Sequence, residues 1–326
     1  MKTNSFCSLI ISCILCSCSN GPEIQKVVST DLSVQLDALC FTSESEGVLF
    51  ASDKYKIMIW ETNDAGDSWQ EKTDCYGYRF YDHRRYHAIY SVGNKIFGLV
   101  EPQVGSPSVF VYDNNTEHWS VFEIPYNLNP GLQWVLNDEF HFYISDSDVS
   151  YEVIVDTLSQ MECRPATRDL TKLKEIIGSG NCEYWIMYDK DSLYYQVGNV
   201  TSTLPVTSPE HLAMMGDISI CATQEREGCW LILAGNTQDK SVDSIYEVNE
   251  YQSVRKILTY SDNIVLLVSN INGVWGTACD IIYSTDGGKK WRKKRIGLQI
   301  ECSYLVGDTF YFSTNIGGLY RIRLKK

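Results

Sequence analysis

The chain has 326 residues, 44% of them hydrophobic, 12% aromatic and 21% charged, with a net charge of −13. This supplies a sizeable core, and the acidic balance excludes the basic footprint of a nucleic-acid binder. The 21 Tyr and 8 Trp, without long 3.6-residue amphipathic segments, point to an all-β fold.

Residues 1–18 read as a targeting segment. Lys2 and the amino terminus carry positive charge, and Phe6 to Ser17 is an apolar run too short for an ordinary membrane span. The run ends in Leu15-Cys16-Ser17-Cys18, which resembles a bacterial lipobox. The resemblance implies that Cys18 becomes the lipidated first residue, its acyl chains anchoring the protein to a membrane. Ile10-Ile11-Ser12-Cys13 is a weaker match, and the bland reading is a cleaved signal peptide without lipid. Ser19 after the Cys resembles the outer-membrane sorting pattern of Gram-negative lipoproteins. Residues 19–23 then form a polar tether, and 24–326 are expected to form one domain.

Strands are expected at Val34–Cys40, Val48–Ala51, Ile57–Glu61 and Trp69–Lys72. The turn before the last is Thr62-Asn63-Asp64-Ala65-Gly66-Asp67-Ser68-Trp69. Its pattern is hydroxyl-x-Asp-x-Gly-x-x-Trp. Thr62 and Asp64 accept hydrogen bonds from N–H groups a few residues on. Gly66 takes the left-handed conformation, and Trp69 buries its indole as an anchor.

A run of aromatics and bases follows, Cys75-Tyr76-Gly77-Tyr78-Arg79-Phe80-Tyr81-Asp82-His83-Arg84-Arg85-Tyr86-His87. Tyr and Arg dominate binding hot spots, so Tyr78, Arg79, Tyr81, Arg84, Arg85 and Tyr86 are candidates for a contact surface. The bland reading is aromatic packing with solvated arginines. His83 and His87 share a helical spacing but lack the metalloprotease pattern, so no metal site is assigned.

The next four strands are the clearest: Ala88–Val92, Lys95–Val100, Ser108–Tyr112 and His118–Ile124. Their last turn, Tyr112 to Trp119, keeps the Trp and loses the Gly. Three weaker groups follow, over Gly131–Cys163, Leu173–Val206 and Ile218–Ile257. In the last of these, Cys221 and Cys229 lie symmetrically about Glu225 and are expected to face each other across a hairpin as a disulfide. Asp146-Ser147-Asp148 and Asp189-Lys190-Asp191 lack the Gly and Glu of a calcium loop and read as turns.

The group Leu258–Ile296 contains a second copy of the turn, Ser284-Thr285-Asp286-Gly287-Gly288-Lys289-Lys290-Trp291. Here Ser284, Asp286, Gly288 and Trp291 take the roles of Thr62, Asp64, Gly66 and Trp69. Asn272 and Trp275, in the loop before it, are further binding candidates, against a bland glycine-rich turn. Lys289 to Arg295 is the one basic run; on an outer strand it blunts the edge or touches an anionic membrane surface beside the lipid anchor, and edge protection is its favoured reading. The tail offers only three strands, Cys302–Val306, Thr309–Ser313 and Leu319–Leu324.

Two turns of this kind resemble the Asp-box, or BNR, repeat of β-propellers, the group that includes sialidases, photosystem II assembly factors and sortilin-type receptors. The resemblance implies that the box aspartates are structural, and that the loops bearing Tyr78–Tyr86 and Asn272–Trp275 share the ligand face. The boxes lie 222 residues apart, or five periods of about 44 residues. Seven blades are therefore expected, with six and eight as alternatives, and Ile24–Thr30 supplies the strand that the last blade lacks. The Arg-Ile-Pro motif of sialidases is absent, the first Arg being Arg79. The expected function is a non-enzymatic scaffold, monomeric and without cofactor, that holds a protein or glycan partner. The alternatives are a sialidase-like glycan-processing enzyme and an envelope assembly or immunity-type protein that captures one partner.

Overall fold

A computed structural model of the chain describes residues 22–324, apart from 31–33, 53–56, 73–84, 102–106, 117, 125–128, 146–149, 157–159, 167–171, 180–181, 188–191, 198–199, 227–228, 249–251 and 271–277. Strand β1 (Ile24–Val28) comes first and belongs to the last sheet. Blade 1 is β2 (Gln35–Phe41), β3 (Gly47–Ser52), β4 (Ile57–Thr62) and β5 (Gln70–Lys72). Blade 2 is β6 (Arg85–Val92), β7 (Lys95–Glu101), β8 (Ser108–Asp113) and β9 (His118–Glu123). Blade 3 is β10 (Asn129–Leu136), β11 (Glu139–Ser145), β12 (Ser150–Val155) and β13 (Met161–Pro165). Blade 4 is β14 (Leu173–Ser179), β15 (Cys182–Met187), β16 (Leu193–Val197) and β17 (Val200–Leu204). Blade 5 is β18 (Pro209–Met215), β19 (Ile218–Arg226), β20 (Cys229–Asn236) and β21 (Val242–Val248). Blade 6 is β22 (Gln252–Tyr260), β23 (Asn263–Asn270), β24 (Cys279–Ser284) and β25 (Arg292–Leu298). Blade 7 is β26 (Ile300–Val306), β27 (Thr309–Thr314) and β28 (Leu319–Arg323), completed by β1.

These seven four-stranded antiparallel sheets form a seven-bladed β-propeller. The order of the closing sheet, β1-β28-β27-β26, pairs the first strand with the last, Gln25 opposite Arg321 and Lys26 opposite Tyr320. Closure covers the β28 edge, which would otherwise template aggregation. The N-terminal strand expectation is met, with β1 ending at Val28.

The sequence pattern follows each strand's depth. Middle strands such as β24 and β27 are buried along their whole length, because neighbouring blades cover both faces. Outer strands such as β13 are exposed throughout. The core is divided among the junctions, one apolar cluster for each adjacent pair of blades. At the junction of blades 3 and 4 the backbones nearly touch: a Cβ on Gly178 would lie 1.8 Å from the Val135 carbonyl oxygen.

Two expectations are corrected. The division of blades 5 and 6 at Ile257 and Leu258 falls inside β22, and the inner strand of blade 5 is Pro209–Met215. That strand opens with Pro-Glu-His, which hides its apolar pattern, and only residues 249–251 separate β21 from β22. Cys221 and Cys229 do not face each other: Cys221 stands opposite Leu233, and Cys229 opposite Arg226. Four residues of strand, about 13 Å, separate Cys229 from the position opposite Cys221, beyond a disulfide's reach. Both are buried and outside any disulfide, and Cys229 Sγ donates to Glu247 Oε1 at 3.4 Å.

Candidate functional site

Strand direction gives the ring two faces. The A–B turns and the C–D turns, including both boxes, lie on one face. The D–A and B–C connections lie on the other, where each inner strand starts.

Every inner strand breaks register near its start. The breaks fall between Leu36 and Ala38, Tyr86 and Ile89, Pro130 and Gln133, Leu173 and Glu175, Glu210 and Leu212, Val254 and Lys256, and Ile300 and Ser303. A bulge leaves a residue unpaired, bends the strand and re-aims side chains. Repeated seven times, it forms a collar at one mouth of the central channel. The single inserted residues are Asp37, Lys174, His211 and Arg255. In blade 7, Glu301 and Cys302 together oppose the single residue Ser313.

Polar groups stitch the collar from blade to blade. The Tyr90 hydroxyl donates to the Gln133 carbonyl at 2.9 Å, and the Leu212 N–H donates to Glu175 Oε2 at 3.1 Å. Lys174 pairs with Glu210. His211 Nε2 lies 3.0 Å from the Val254 carbonyl, which makes it the donor. Lys256 Nζ donates to the Ser303 carbonyl at 3.5 Å, and Ser313 Oγ donates to the Leu36 carbonyl at 3.4 Å.

The charges influence one another around the axis. Burial pushes the Glu175 carboxyl up to about 7, against the pull of the Leu212 N–H and of Lys174 and Lys256. Burial lowers Lys256, while Cys302 and Glu175 raise it. Burial pushes Cys302 up to about 11, opposed by its hydrogen bond to Ser313 and by Lys256. Burial also raises Tyr90, with Glu175 adding to the effect. The Lys256 side chain reaches solvent although protein walls it in, as expected in an open channel. The Gln133 carboxamide oxygen is buried with no hydrogen-bond partner among the described residues. The collar thus offers acceptors and a cation at close quarters. The imidazole of His211 is tied to backbone. No group of three or more His, Cys, Asp and Glu that could hold a metal occurs among the described residues.

The boxes fold as their chemistry requires. Thr62 Oγ1 donates to Asp64 Oδ1 at 2.8 Å and accepts the Gly66 N–H at 2.8 Å; the Ser68 N–H reaches Asp64 at 2.9 Å. Ser284 Oγ, Asp286 and Gly288 repeat this at 2.8 and 2.9 Å, with the Lys290 N–H on Asp286 at 2.8 Å. Gly66 and Gly288 have φ of +73° and +87°, so both need glycine. Trp69 and Trp291 immediately precede β5 and β25. A polar cavity of about 300 Å³ beside the first box is lined by Glu46, Glu61, Ser68, Lys72 and Asn115. It lies on the face opposite the collar, and Glu61 there is already paired with Lys72 at 3.0 Å.

Of the loop candidates, Tyr78, Arg79, Tyr81, Arg84, Asn272 and Trp275 lie outside the described residues, as does Cys18. Arg85 and Tyr86 begin β6, at the collar's end of that strand. Sequence reasoning missed Glu175, His211 and Lys256. A signal was present: the polar pairs Lys174-Glu175, Glu210-His211 and Arg255-Lys256 recur early in inner strands that are otherwise largely apolar.

No family model and no curated protein sequence matches the chain. Its likeness is to solved structures. An oligogalacturonate lyase in complex with manganese superposes with a TM-score of 0.66 at 10% identity, covering 94% of this chain and 95% of the other. YCF48 from Cyanidioschyzon merolae gives 0.60 at 12% identity, covering 92% and 98%. A prolyl endopeptidase gives 0.62 at 12% identity; 89% of this chain is covered, and it spans 50% of that enzyme's length. At such identities the likeness shows a shared β-propeller fold.

Proposed function

We propose that this chain is a non-enzymatic binding scaffold, anchored through a lipid on Cys18 to a bacterial envelope, that captures a protein partner at the collared mouth of its channel. The observation that carries the reading is the sevenfold bulge. It arrays Asp37, Lys174, Glu175, His211, Arg255 and Lys256 around one opening, and Arg85 and Tyr86 begin β6 at the same end. Tyr and Arg beside a polar collar suit a protein surface.

The test is site-specific photocrosslinking of the full chain in an envelope extract. A crosslinker replacing Arg255, in the collar, should give one discrete adduct. One replacing Lys240, in a C–D turn on the opposite face, should give none. Arg84→Ala with Arg85→Ala should weaken capture without moving the melting temperature. Equal adducts from both faces would overturn the reading. So would turnover of a glycoside panel that is lost with Glu175→Gln, which would favour a glycan-processing enzyme.

A further inference from the structure

The outer strand of each blade has solvent on its far edge, and one of the seven differs from the rest. Strands β1, β5 and β13 carry one Lys or Arg each: Lys26, Lys72 and Arg164. Strands β9, β17 and β21 carry none. Strand β25 carries four in succession, Arg292, Lys293, Lys294 and Arg295, and the box turn before it adds Lys289 and Lys290. Six of the chain's 28 cations thus fall within seven residues of a protein with a net charge of −13.

Edge protection does not account for this. One or two charges blunt an edge, and three other outer edges have no cation. Pairing within the fold does not account for it either. Lys72 pairs with Glu61 at 3.0 Å, Arg164 with Glu152 at 3.0 Å, and Lys26 lies over the Tyr320 ring. On β25, Lys293 reaches Asp280 at 3.5 Å, while Lys289, Lys290 and Arg295 are exposed. Consecutive residues of a strand point to opposite sides, so these charges fan outward from a convex rim. A bound acidic peptide needs a row in register or a groove. A plane of many anionic headgroups meets a fan without either.

We infer that the β25 edge is a docking surface for an anionic lipid bilayer. Clusters of four to eight Lys and Arg suffice for such contact, and among the described outer strands β25 is the one that carries such a cluster. Because β25 lies at the rim, the ring stands edge-on. The channel axis then runs parallel to the membrane plane and both mouths stay open to the aqueous phase. This contact is independent of the lipid anchor proposed above.

The test is cosedimentation of the full chain with vesicles of phosphatidylcholine alone and of phosphatidylcholine and phosphatidylglycerol in equal parts. The readout is the difference between the two, and the contribution of the N-terminal segment, with its positive Lys2, is the same in the parent and in the variant below. The expected result is preferential binding to the mixed vesicles, abolished by about 0.5 M salt. A variant with Lys289→Gln, Lys290→Gln, Lys294→Gln and Arg295→Gln should lose it by about a hundredfold or more, with an unchanged thermal melt. Lys293 is left intact because it neutralises the buried Asp280. Equal binding to both vesicles, or retention by the fourfold variant, overturns the inference. So does soluble polyglutamate binding that disappears in the variant while vesicles do not bind, since the occupant is then an acidic polypeptide.

Discussion

The two Asp-box hairpins share one turn and differ in what they fasten. In blade 6, Trp291 does the fastening itself. Its Nε1 donates to the Ile245 carbonyl at 3.0 Å and to the Gly288 carbonyl at 2.8 Å, and its ring packs on Tyr246 at 4.7 Å. Both Ile245 and Tyr246 belong to the preceding blade. In blade 1, the Trp69 Nε1 is buried without a hydrogen-bond partner among the described residues, and the ring meets Phe41 edge-on at 6.0 Å. There the preceding blade reaches in instead: the Tyr311 hydroxyl and Arg321 Nη1 both donate to the Ala65 carbonyl, and Arg321 pairs with Asp67. The box motif encodes a local turn. The staple it becomes is decided by its neighbour, and the first box is stapled to the blade that closes the ring.

Arg321 is therefore the place to break the comparison. It is buried, it donates from Nε and Nη2 to Gln25 Oε1 of β1 at 3.0 and 2.9 Å, and it holds the first box on its other side. Arg321→Ala removes all of these at once. It is expected to cost about 3 kcal/mol in chemical denaturation, against less than about 1 kcal/mol for Asp67→Ala, whose side chain is more than half exposed. Equal costs would mean that the closure does not depend on this joint.

The same contrast explains what the sequence revealed. The side-chain hydrogen bonds that shape each turn, from Thr62 and Asp64 or from Ser284 and Asp286, close within eight residues, so the turn and its period were legible, and with them the ring and its N-terminal closing strand. The division of blades 5 and 6 was not legible, because β18 opens with polar residues and the link to β22 is three residues long. The collar was still less so. Asp37, Glu175 and Lys256 are far apart along the chain and come together only when seven inner strands converge. The aromatic run at Tyr78–Tyr86 was conspicuous by composition, whereas the collar is built from residues that are ordinary one at a time.

The two indoles give a sharper measure. Trp→Phe removes a similar amount of apolar surface at each box, but hydrogen bonds at only one. Trp291→Phe should cost about 1 kcal/mol more than Trp69→Phe, the net worth of a typical hydrogen bond. Urea denaturation of both variants beside the parent reads the difference. If Trp69→Phe proves the costlier, the indole nitrogen of the first box has a partner that the present geometry does not supply.

The smallest difference lies in the two carboxylates. Asp64 is held down to about 2 by the Ser68 hydroxyl, at 2.6 Å, and by the Ser68 N–H. Asp286 is lowered chiefly by the Lys290 N–H, and Lys290 brings no hydroxyl. A carboxyl whose folded pKa lies below its unfolded value of 3.8 stabilises the fold above that value. The contribution is lost as pH falls through the folded pKa. Both groups are only partly buried, so solvent screens them and the effect is a slope and not a collapse. Melting temperatures followed from pH 6 down to about 2 should flatten in Asp64→Asn, and flatten less in Asp286→Asn. The gap between the two variants should close when Ser68→Ala is added to Asp64→Asn and to the parent alike, because the hydroxyl is what distinguishes the boxes. A gap that survives that substitution would place the difference in the surrounding blades and not in the turn.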